Sequence, residues 1–138
     1  MKHCLVVLAL GLLLGGMVWT ARLGAQGEKG PDIKEIMGRL NKPTGIYFSM
    51  TRELKEQAPD WAEVQMNARL LGQLAGQLTR TTPPRGDRAS WDRQIKAYIA
   101  NAQAAETAIR KMDKAAAQAA LARMGEPACT TCHKAHRP

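Results

Sequence analysis

The sequence is poor in cysteine, histidine and aromatic residues: three cysteines, three histidines and 4% aromatic side chains among 138 residues. It has no arginine-rich block and no stripe interleaving aromatic with basic residues, which argues against nucleic-acid binding. Strand-type alternation of apolar and polar residues is missing, so a sheet is not expected. No β-α-β pattern occurs either, and that is the setting in which a paired-thiol motif serves thioredoxin-like redox chemistry. There is no internal repeat, and the only low-complexity stretch is the alanine-rich KAAAQAALA at 114–122.

What is present begins with a leader. Lys2 and His3 form a short basic start, and CLVVLALGLLLGGMVW runs from Cys4 to Trp19 without a charge. Small residues follow at Gly24 and Ala25, which completes the three-part form of a secretory signal. Cleavage is expected after Ala25, making residues 1–25 a signal peptide, residues 26–31 a flexible lead-in and residues 32–138 one domain. An uncleaved anchor is the alternative, but the apolar run is near the short end for a spanning helix. No lipobox cysteine follows the run, so Cys4 is not a lipid-anchor candidate. Export through this signal implies a periplasmic protein.

Removing the leader leaves enough chain for one hydrophobic core. Lys2 and Arg22 would leave with it, lowering the formal charge of +8 by two. A modest basic excess favours docking to an acidic partner.

The remaining chain reads as four amphipathic helices. Asp32 can cap a first helix carrying Ile33, Ile36, Met37 and Leu40, interrupted by Pro43 and Gly45 and resumed by Ile46, Tyr47, Met50 and Leu54. Asp60 opens the second, with Glu63 placed for a capping box and Trp61, Val64, Leu70, Leu71, Leu74 and Leu78 inward. TRTTPPRGD at 79–87 is a turn. The third helix starts at Asp87 or Ser90 and reaches Met112, with Trp91, Ile95, Tyr98, Ile99, Ala102 and Ile109 inward. Asp113 re-caps a fourth helix carrying Ala116, Ala119, Ala120, Leu121 and Met124. Gly125 and Pro127 then kink it or open a last segment. Its alanines suit either close helix approach or simply high helix propensity. Tyr47, Phe48, Trp61 and Trp91 read as core or helix-contact residues. Short joints between such helices predict an all-α, antiparallel up-and-down four-helix bundle.

Once the leader is gone, all remaining cysteine and histidine lies in CTTCHKAHRP: Cys129, Cys132, His133 and His136. A closed zinc site fits poorly, because adjacent Cys132 and His133 point about 100° apart on a helix. A thiol pair or disulfide leaves His133 unexplained. A zinc or thiol helical module stays a distant alternative. Covalent haem accounts for every residue. Thiols at i and i+3 share a helical face and can bond the two vinyl groups of one porphyrin, with the next histidine directed at the iron. Cys129 and Cys132 are therefore the attachment residues for one haem c, and His133 its proximal iron ligand. His136 lies three residues on, on the same side of the haem, so it cannot cap the opposite face.

A haem motif closing an exported four-helix chain resembles the class II c-type cytochromes, the cytochrome c′ family. IKEIMGRLNKP, PDWAEVQ, PPRGD and CTTCHKAHR look like a low-spin branch of exported bacterial members. Relatives follow the motif with an aromatic residue and an arginine; here the arginine is Arg137, and His136 stands where the aromatic would be. The resemblance implies Arg137 near the haem edge. It puts Met37 where class II proteins carry their distal residue, with Met50 the runner-up and Ile36 and Leu40 packing beside it. With Met37 bound, the site suits electron transfer by Fe(II)/Fe(III) cycling with a redox partner. With Met37 unbound, a five-coordinate cytochrome c′ taking nitric oxide or carbon monoxide is the alternative. Peroxidase-type chemistry wants a distal histidine, and none exists, so no enzyme activity is expected. A homodimer of two bundles stands as an alternative to a monomer.

Overall fold

Four aspartates start four of the helices. In the computed structural model, which describes residues 32–138, the carboxylate of Asp32 accepts from Lys34 N–H, Asp60 from Ala62 and Glu63, Asp87 from Ser90 and Asp113 from Ala116. Each satisfies backbone donors that a helix start leaves orphaned. The leader and the lead-in to residue 31 lie outside the described residues.

The elements run α1 Ile33–Asn41, α2 Ile46–Glu53, α3 Trp61–Gln77, a 3-10 turn Leu78–Arg80, α4 Arg88–Arg110, α5 Lys114–Met124 and α6 Glu126–His136. The described residues are all helix, turn and loop, with no strand. The expected first helix is the α1–α2 pair broken at Pro43–Gly45, and the expected fourth is the α5–α6 pair broken at Gly125.

The capping box at Asp60 forms only by half. Glu63 does not return to the Asp60 N–H; Glu53 Oε1, from the preceding helix, accepts it at 2.7 Å. Glu63 instead accepts from Ser49 Oγ at 3.2 Å. The two glutamates thereby tie α2 to the start of α3.

Helix α4 packs most extensively on α5 and α3, α2 lies on α3, and α1 packs chiefly on α2. Leu40, Met50, Leu54, Leu71, Leu78 and Ile109 are fully buried among them. Where α4 meets α5, Ala102, Ala105 and Ala108 are buried on one side and Ala117 and Ala120 on the other. Methyl-sized side chains on both helices permit close approach. The face of α5 differs from the expected one, however: Ala116 and Ala119 are exposed, and Ala117 takes the inward place. A run of alanines carries almost no amphipathic signal, so its phase is set by the partner helix. On α3, Ala68 and Ala75 are buried while Leu70 is only half-buried. Phe48, read as a core or helix-contact residue, is 45% exposed and stands edge-on to Tyr47.

Helix α6 packs on α5 and α4. Its docking decides where the cysteines lie.

Candidate functional site

The break between α5 and α6 is held by a tyrosine. Tyr47 of α2 donates its hydroxyl to Leu121 O at 3.3 Å. A Cβ on Gly125 would meet the same hydroxyl at 2.7 Å, so a larger residue there would push the Tyr47 hydroxyl off Leu121. Pro127 stands in the first turn of α6, as expected.

At 100° per residue, Cys132, His136, Cys129 and His133 fall in that angular order within an arc of about 100°. Burial follows the order. His136, near the middle, is 2% exposed; Cys129 and Cys132 are half-buried; His133, at one edge, is exposed. Cys132 touches the core, and Cys129 donates its S–H to Met124 O at 3.4 Å. Neither cysteine is in a disulfide. Burial pushes both thiols above their ordinary pKa, and a thiolate at Cys129 would push Cys132 further. Reactive redox cysteines are held low instead, so the pair does not have the character of a thiol–disulfide centre.

His136 has both ring nitrogens engaged. Its Nδ1 lies 2.8 Å from Arg85 O, and a carbonyl can only accept, so Nδ1 carries the proton and donates. Nε2 then accepts from Ser90 Oγ at 3.2 Å. The ring stands edge-on to Trp91, centroids 5.2 Å apart. The Arg85 guanidinium reaches back to Lys134 O at 2.6 Å. Gly86, at φ +79°, closes against this contact: a Cβ there would lie 2.8 Å from Ala135 O. His136 is thus a pin between the end of α6 and the turn before α4. Among the described residues, no group of three or more His, Cys, Asp or Glu is arranged to hold a metal ion. The two-Cys, two-His zinc set is not assembled, because His136 is turned onto Arg85 and Ser90.

The remaining expected site residues divide between α1 and the end of α6. Arg137 is exposed one residue beyond α6, its N–H bonded to His133 O at 3.0 Å. On α1, Ile36 and Leu40 are buried core residues, while Met37 is half-buried and packs against that core. Met50, the runner-up for the distal position, is fully buried. Helix α1 packs on α2 and α3, and α6 on α5 and α4. Asn41 Nδ2 donates to Met37 Sδ at 3.5 Å. The Asn41 amide is also close to Tyr98 of α4, yet not in hydrogen-bonding geometry, so the Tyr98 hydroxyl is buried without a partner. Burial raises the Tyr98 pKa, and negative charge on Cys129 or Tyr47 would raise it further. Trp91 Nε1 is a second buried donor without an acceptor. Trp91 and Tyr98 are seven residues apart, two turns along one face of α4, and α6 packs on that helix. Cavities of about 390 Å³, lined by Gln103, Thr107 and Lys111, and about 320 Å³, lined by Phe48, Arg52 and Lys55, lie away from the cysteines.

Three of these participants were missed in the sequence: Asn41, the unpaired Tyr98 hydroxyl and the Arg85–Ser90 pin. Asn41 had a signal, since it follows Met37 by four residues on one helix face. The pin joins segments 51 residues apart and had none. No family model, no curated protein and no solved structure matches the chain.

Proposed function

We propose that the chain is an exported, periplasmic mono-haem c-type cytochrome, an antiparallel up-and-down four-helix bundle of class II type that carries single electrons. One observation carries the reading: Cys129 and Cys132, both without a disulfide partner, share one arc of α6 with His133 next in the chain.

Three features fit the cofactor. Both thiols are free of a disulfide, as addition to two vinyl groups requires. On attachment each S–H would add across one vinyl group, sulphur to one carbon and hydrogen to the other, so no oxidant would be needed. His133 is exposed, and its ring makes no side-chain hydrogen bond among the described residues. Trp91 Nε1 and Tyr98 Oη are buried donors lacking acceptors on the helix that faces α6. A buried unpaired donor costs about 1–3 kcal/mol, and a porphyrin bearing two carboxylates supplies acceptors of the missing kind.

When bound, the haem supplies an iron that cycles between Fe(II) and Fe(III). Cys129 and Cys132 would hold the ring covalently, and His133 would offer its imidazole nitrogen to the iron. Met37 would offer its thioether to the iron, which would favour the ferrous state and leave no position for small gases. Ile36 and Leu40, both buried, anchor α1 in the core beside Met37. Arg137 lies one turn beyond His133, where its charge can meet a haem carboxylate. The basic surface draws an acidic redox partner, and no catalytic turnover is assigned.

The test is a haem stain on the exported protein after denaturing electrophoresis, followed by optical spectra. A retained stain with a weak far-red band in the ferric form supports the His/Met cytochrome. Absence of the stain overturns the haem reading. A stained protein whose ferrous spectrum changes fully with carbon monoxide replaces Met37 ligation with a five-coordinate, gas-binding cytochrome.

A further inference from the structure

Methionine is the least constrained of the common iron ligands, with three rotatable bonds and a soft, adaptable thioether. A methionine that must present its sulphur in one direction needs something to hold it. Met37 is half-buried and packs against the core. At the sulphur itself the contact is polar: Asn41 Nδ2 at 3.5 Å.

We infer that Asn41 is a positioning residue for Met37, an inference that rests on the haem reading above. Its amide N–H occupies one sulphur lone pair and fixes the side-chain rotamer. A thioether sulphur has two lone pairs, so the second is left for the iron. Residues four apart stack on one face of α1, which lets the amide reach the sulphur without bending the helix. Asn41 is the last residue of α1, and its backbone is fixed there by the tight turn in which Gly45 N–H bonds Lys42 O at 2.6 Å. Tyr98, close to the amide but not bonded to it, bounds it on the α4 side. Asn41 touches neither the porphyrin nor the iron in this account; it acts through Met37.

The experiment compares the parent holoprotein with Asn41→Leu and Asn41→Gln. Leucine keeps the volume and removes the donor; glutamine restores it from one methylene further out. The readouts are the far-red ferric band and the affinity of the ferric protein for imidazole, which competes with Met37 for the iron. A freed methionine loses rotamer order and must be fixed again on binding, worth about a tenfold change. Imidazole therefore binds Asn41→Leu about tenfold more tightly, the band weakens, and Asn41→Gln returns both toward the parent. A parent with the band and an Asn41→Leu variant with unchanged band and affinity overturns this inference alone. A parent that stains for haem but lacks the band overturns it together with Met37 ligation. Should Asn41→Leu fail to fold, Asn41→Asp keeps the shape without the donor and is expected to bind imidazole more tightly; unchanged affinity there overturns the inference equally.

Discussion

The Nδ1 of His136 donates to the carbonyl oxygen of Arg85 at 2.8 Å, across 51 residues of chain. That bond, with the Ser90 hydroxyl on the other ring nitrogen, makes His136 part of the scaffold and leaves His133 as the α6 histidine available to a metal. Replacing His136 by alanine is expected to cost about 1–3 kcal/mol through orphaned partners, read by urea unfolding, while the haem stain persists. Replacing His133 by alanine has the opposite signature: the fold persists and the iron loses its proximal ligand, read as a changed spectrum.

Gly86 belongs to the same contact. Its φ of +79° and the 2.8 Å approach to Ala135 O leave no room for a side chain. Gly86→Ala is expected to destabilise by more than about 1 kcal/mol. The loss is local, so hydrogen exchange in α6 speeds up before that in α3.

Met112 takes the position where helices commonly end on glycine. It has φ +55°, and Asp113 N–H returns to Ala108 O at 3.0 Å to close α4. A side chain in the left-handed region costs about 1 kcal/mol relative to glycine. Met112 is 57% exposed, so little packing is lost. Met112→Gly is expected to raise stability by about 1 kcal/mol, read by thermal unfolding.

Two of the groups with shifted pKa, Tyr98 and Asp87, mark opposite pH limits of stability. Burial raises the Tyr98 pKa above its ordinary 10.0, so the unfolded chain gives up that proton first. Its contribution is full below pH 10.0 and is lost as pH rises toward the folded value. Tyr98→Phe is expected to flatten this alkaline loss. On the acid side, the Ser90 N–H holds the Asp87 carboxylate below its ordinary 3.8. That contribution is present above 3.8 and is lost as pH falls through the lower folded value, so Asp87→Asn flattens the acid limb. Urea midpoints measured across pH check both.

Much of this was legible in residues with strong local rules. Asp32, Asp60, Asp87 and Asp113 mark helix starts because a short carboxylate meets orphaned N–H groups within three residues. Pro43, Gly45 and Gly125 mark breaks for equally local reasons. The phase of α5 was not legible, since Ala116 and Ala117 differ in nothing that periodicity can detect. The exposure of Phe48 was not legible, because an aromatic side chain on a short helix can serve the surface as well as the core. At the candidate site, the spacing of Cys129, Cys132 and His133 was plain. The employment of His136 depends on Arg85 and Ser90, whose nearness is a product of tertiary folding.

The central claim is covalent haem on Cys129 and Cys132, and intact-mass measurement of the exported protein tests it most directly. A mature chain heavier by one haem is expected, with no such addition in a Cys129→Ser, Cys132→Ser double variant from the same preparation. A parent chain found at its unmodified mass, or lighter by the two hydrogens of a disulfide, would contradict it.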